Sequence, residues 1–102
     1  MIENNVPQNQ IQIDIDEQTF NGVYCNLAAI SHTETEVIMD FIYIHPPKGR
    51  VRSRVITSPA HAKRLLKALQ ENLANYEKTF GPIKEAAGPP QGIQINLGPN
   101  LN

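Results

Sequence analysis

KGRVRSRVITSPAHAKRLLK, residues Lys48 to Lys67, changes its period at Ser58, and that change decides the fold. Before Ser58, Arg50, Arg52 and Arg54 alternate with Val51, Ser53 and Val55, the period-two pattern of a strand with two unlike faces. After it the pattern is helical. Ser58 is a good N-cap and Pro59 a good first helical residue. Ala62, Leu65, Leu66, Leu69, Leu73, Tyr76 and Phe80 then recur at three- and four-residue steps until Gly81-Pro82 closes the run. A helix of about 22 residues is roughly 33 Å long at ~1.5 Å per residue. That equals a ten-residue strand at ~3.3 Å per residue, so one helix can cover one face of a sheet.

Moving toward the N-terminus, the same logic predicts a run of strands. EVIMDFIYI (36–44) is β-branched and aromatic, the composition of a strand apolar on both faces, and HPPKG (45–49) is a loop because consecutive prolines cannot continue a central strand. HTET (32–35) supplies turn residues, VYCNLAAIS (23–31) reads as a strand, and Asn21-Gly22 is a strong turn signal. IQIDID (11–16) alternates apolar and polar and reads as the first strand. The expected fold is α+β and two-layered: a four-stranded antiparallel meander sheet covered on one face by one long C-terminal helix. Residues 1–10 are a polar, flexible arm, 11–81 the single domain, and 82–102 a tail rich in proline and glycine. Within the tail GIQINL (92–97) echoes QIQIDI (10–15), and is either a disordered segment or a tethered strand that pairs with a sheet edge. A core of roughly 70 residues is marginal alone, and oligomerisation is a common remedy.

Charge is distributed unevenly along the chain. Lys48 to Lys67 carries seven of the nine Lys and Arg, whereas the first 47 residues carry seven acids and no Lys or Arg. Strand parity places Arg50, Arg52 and Arg54 on the face away from the helix, because arginines beneath a leucine stripe would be desolvated without partners. The same parity puts Asp14, Asp16, Ile38, Asp40 and Ile42 on that face. Acids and arginines on neighbouring strands then pair across the sheet, within or between subunits, amid isoleucines that suit a symmetric homodimer. A β-bulge would reverse this parity. Lys63, Arg64 and Lys67 fall on the solvent side of the helix and are the candidate contacts for an anion.

The remaining chemistry is sparse. His32, His45 and His61 occupy different elements at no metal-ligand spacing, and Cys25 sits inside a strand as an inert thiol. Asp40, in an apolar strand, is expected to pair with an arginine. Phosphate-loop, nucleophile-elbow and dinucleotide motifs are missing, so no catalytic, cofactor or metal residue is assigned and a non-enzymatic protein is expected. A net charge of −1 weighs against a general nucleic-acid binder, as does the lack of aromatics between Pro46 and Asn75. No signal peptide or membrane-spanning run is visible, and a cytoplasmic location is expected.

GVYCNLAAISHTETEVIMDF (22–41) and SPAHAKRLLKALQENLANYEKTFGPI (58–83) resemble a prokaryotic family, domain of unknown function 3467. The shared motifs are G-x-Y-x-N (Gly22, Tyr24, Asn26), the M-D-F of residues 39–41 where the family tends to L-D-F, and S-P-x-H-A-K-R-L-L (58–66). Cys25 stands where the family tends to serine, and the resemblance implies a domain without an assigned activity. In layout alone, a four-stranded meander followed by a helix is similar to the SecB-like export chaperones, which are oligomers. The expectation is a small binding or adaptor protein acting as a homo-oligomer, most simply a dimer. The alternatives are anion or nucleic-acid binding through the basic helix face, or a SecB-like polypeptide-binding role.

Overall fold

A computed structural model of the chain describes residues 8–85. Three antiparallel strands form one sheet in the order β1 (Leu27–His32), β2 (Val37–His45), β3 (Lys48–Thr57). The chain is α+β, with a short helix α1 (Glu17–Phe20) before the sheet and a long helix α2 (Pro59–Phe80) after it. The expected tail strand at 92–97 lies outside the described residues, as does most of the polar arm.

The first predicted strand does not form. Residues 11–16 make no ladder, and Ile11 and Ile13 are 85% and 88% exposed. The local reason lies at Asp16. Its Oδ1 accepts from the Thr19 N–H at 2.6 Å, making it the N-cap of α1 and turning the chain out of line. Asn21-Gly22 therefore ends a helical turn rather than closing a hairpin. The Gly22 N–H donates to the Thr19 carbonyl at 3.0 Å, and its φ of 70° lies in the left-handed region that favours glycine. The next strand starts only at Leu27, so the sheet has three strands and not four.

The rest of the meander follows the sequence closely. β1 and β2 join through Thr33, whose Oγ1 accepts from the Thr35 and Glu36 N–H groups and whose own N–H donates to the Glu36 carbonyl. β2 and β3 join through Pro46-Pro47 alone. The turn is tighter than the five-residue loop predicted from the sequence, because the prolines occupy only the two positions with no ladder bond to donate. β2 is the interior strand and holds the residues that are buried among those described: Met39, Asp40 and Ile42.

The register slips between Phe41 and Ile42. Phe41 faces Ser53, but Ile42 faces Val51, leaving Arg52 as the extra residue of a β-bulge in β3. One face of the sheet accordingly carries Ile38, Asp40, Ile42, Val51, Arg54 and Ile56. The other carries Ile30, Met39, Phe41, Val55 and, past the bulge, Tyr43 and Arg50.

α2 matches its predicted bounds. Ser58 is the N-cap, with its Oγ accepting from the His61 N–H at 3.1 Å, and Gly81 ends the helix at φ 90°. Its placement differs from the expectation. No residue of α2 is buried, and Leu65, Leu66, Leu69, Leu73, Tyr76 and Phe80 are all exposed. Within one chain the helix does not cover the sheet.

Candidate functional site

Asp40 is the most enclosed residue described, at 1% exposure, and it is fully paired. Arg54, directly opposite on β3, donates through Nε to Oδ1 at 2.6 Å and through Nη2 to Oδ2 at 2.9 Å. This bidentate fork holds the Asp40 carboxyl below its ordinary pKa, against a smaller opposing push from burial, and raises that of Arg54. The pair locks β2 to β3 beside the bulge. The expected partnership between Asp40 and an arginine thus forms within one chain.

The other charges separate from it. The bulge removes Arg50 from the Asp40 face, correcting the reading that Arg50, Arg52 and Arg54 share one side. Arg50 faces Tyr43, and Arg52 lines a hollow of about 350 Å³ with Tyr24 and Tyr43. Asp14 and Asp16 do not join the sheet. Asp16 is occupied at the cap of α1, where the Thr19 hydrogen bonds lower its pKa. Of the eight residues expected on one face, Ile38, Asp40, Ile42 and Arg54 are brought together.

The displaced arginines form a different constellation. A shallow cleft of about 550 Å³ is lined by Tyr43, His45, Pro46, Pro47, Lys48, Gly49, Arg50 and Arg52. Tyr24 meets Tyr43 edge-on with ring centres 6.0 Å apart, and Tyr43 stacks on His45 at 6.4 Å. Lys48, Arg50 and Arg52 have no acidic partner among the described residues. Cations beside aromatic faces suit an anionic group carried on a planar one. Linear spacing concealed this cluster, since Tyr24 is remote from the arginines in sequence and residues 50–54 contain no glycine to mark the bulge.

Tyr24 of the G-x-Y-x-N segment lines the smaller hollow, which shares Tyr43 and Arg52 with this cleft. Asn26 holds the Ile44 peptide from both sides: its Nδ2 donates to the Ile44 carbonyl at 3.0 Å, and its Oδ1 accepts from the Ile44 N–H at 2.8 Å. The side-chain amide extends the β1–β2 ladder by one peptide-like rung, which sets the preceding Tyr24 against Tyr43. Gly22 supplies the turn that brings the segment there. Lys63, Arg64 and Lys67 are exposed on the first half of α2, away from this cleft's lining.

None of the helices described is long and apolar enough to cross a membrane. Comparison with curated proteins and with solved structures gives no match. A family model covers residues 2–85, a span containing Gly22, Tyr24, Asn26, the Asp40–Arg54 pair and the whole of α2. The chain belongs to the family described as protein of unknown function (DUF3467).

Proposed function

We propose that the chain is a homodimeric binding or adaptor module, in which α2 of each copy lies across the sheet of the other. The observation that carries this reading is the apolar stripe of α2. Four leucines, Tyr76 and Phe80 share one side of a 22-residue helix, and its own sheet covers none of them. A lone amphipathic helix gains little from propensity and depends on packing of its apolar face. The sheet has the complementary deficit: Ile30 and Val55 flank the buried Met39 on one face and are themselves exposed.

Helix and β3 also match in length, since 22 residues of helix and ten of strand each span roughly 33 Å. The two-layer arrangement expected of one chain then forms between two. Fully burying a leucine is worth roughly 2 kcal/mol, and these are already partly covered, so each contributes about 1 kcal/mol on docking. Four leucines in each of two chains contribute about 8 kcal/mol, within the ~4–15 kcal/mol that association costs. Tyr76, Phe80 and the exposed sheet residues supply the surplus. The face around the closed Asp40–Arg54 pair, with Ile38 and the exposed Ile56, is left for the protein partner.

Hydrogen exchange tests this directly. The α2 amides exchange slowly, with protection that falls on dilution, if a second copy covers the helix. Fast exchange at every concentration would contradict the reading.

The cleft of Tyr43, Arg50 and Arg52, with Tyr24 in the adjoining hollow, favours a second reading, binding of a single-stranded nucleic acid. It joins the cations to a stacking platform, which the basic helix face of Lys63, Arg64 and Lys67 lacks. Labelled oligonucleotide binding that weakens with salt and disappears in Arg52→Glu supports it; binding that instead needs Lys63 and Lys67 places the anion on the helix.

A further inference from the structure

We infer that residues 11–16 of each copy add as a fourth strand to the free β1 edge of the other copy. This deepens the dimer reading and rests on it.

The first ground is the segment itself. IQIDID alternates at period two, the pattern of a strand with one covered face. Its residues 11–15 make no hydrogen bond to any other described residue, and Ile11 and Ile13 are almost fully exposed. A strand-forming sequence held outside every sheet leaves backbone donors and acceptors and an apolar row without partners.

The second ground is the asymmetry of the two sheet edges. The outer edge of β3 is blunted: a bulge at Arg52 interrupts it, Lys48, Arg50 and Arg52 line it, and Pro46-Pro47 precedes it. Bulges, charges and prolines are the devices that keep edge strands from pairing. The outer edge of β1 has none of them. LAAISH carries no Lys, Arg or proline, keeps its register with β2 across all six residues, and presents Ile30 at 68% exposure. The six residues 11–16 equal β1 in length.

The third ground is apolar continuity. Ile30, Met39 and Val55 form one row across the sheet, and its open end is at Ile30. A strand added to β1 with Ile11, Ile13 and Ile15 on that side extends the row beneath the incoming α2. Gln12, Asp14 and Asp16 then point to the opposite face. The four-stranded meander predicted from the sequence is completed with a strand from the second chain. Within one chain the segment leads into α1 through the Asp16 cap and makes no pairing with its own β1.

Disulfide trapping tests the inference in the full-length chain with Cys25→Ser as background. Ile30→Cys is combined in turn with Ile11→Cys, Ile13→Cys and Ile15→Cys, and with Asp14→Cys as the opposite-face control; single-cysteine variants exclude like-with-like bonds. The expected result is a covalent dimer from at least one isoleucine position and none from Asp14. An intrachain disulfide of monomer mass overturns the inference, as does a dimer-sized protein that crosslinks at no position. The second outcome leaves the α2-mediated dimer standing, whereas a chain of monomer mass before oxidation removes both. Ile13→Pro, which deletes a ladder donor, raises the dimer Kd at least tenfold if the strand is added, and an unchanged Kd contradicts it.

Discussion

Replacing Leu66 and Leu69 by alanine isolates the contribution of the α2 stripe. In a single chain these side chains are 56% and 54% exposed, so roughly half of each is left for a partner to cover. Full burial of a leucine is worth roughly 2 kcal/mol, and the uncovered half about 1 kcal/mol. A symmetric dimer contains each position twice, so the double variant loses about 4 kcal/mol of association free energy. At ~1.4 kcal/mol per tenfold, the dimer Kd rises roughly a thousandfold. Alanine is the best helix former, so α2 itself is not weakened by the change. Sedimentation equilibrium over a concentration series reads the Kd, with Lys67→Ala on the solvent side as the control that leaves it unchanged. A double variant whose Kd stays within about threefold of the parent would refute the reasoning, because no other described contact of α2 explains its apolar stripe.

Three further outcomes follow from the sheet and its cleft. Asn26→Ala removes both bonds to the Ile44 peptide and should cost about 1–2 kcal/mol in urea unfolding, since water can partly replace the lost partners; a cost near zero would mean the clamp is decorative. The Asp40 carboxyl is held below its ordinary pKa by Arg54, so its contribution is present above about pH 4 and is lost as pH falls through the lowered folded value. Asp40→Asn should therefore lower the Tm at neutral pH and flatten its decline in acid, and an unaltered acid limb would contradict this. Tyr43→Ala should weaken oligonucleotide binding with the salt slope unchanged, while Arg52→Glu reduces both affinity and slope; equal insensitivity to both would exclude the cleft.

Helical period, cap and stop residues all agreed over 58–81, and α2 was legible to the residue. β2 and β3 were nearly as clear, because Pro46-Pro47 and Thr33 fix their ends. What was not legible depended on competition between local signals. IQIDID has the pattern of a strand, but the cap at Asp16 diverts the chain into α1, and the Asn-Gly turn then serves the helix. The bulge at Arg52 has no glycine to announce it, yet it sends Arg50 and Arg54 to opposite faces and sets Arg50 beside Tyr43. The pairing of Asp40 with an arginine was legible because a lone carboxylate in an apolar strand has few other resolutions. Amphipathicity showed which side of α2 is apolar, but not what covers it.

The mass of the full-length chain in solution, by light scattering at micromolar concentration, tests the central claim most directly. Exposed leucines on α2 and exposed isoleucines at 11–16 predict twice the chain mass of 11.4 kDa. A single-chain mass maintained to high concentration would contradict the account.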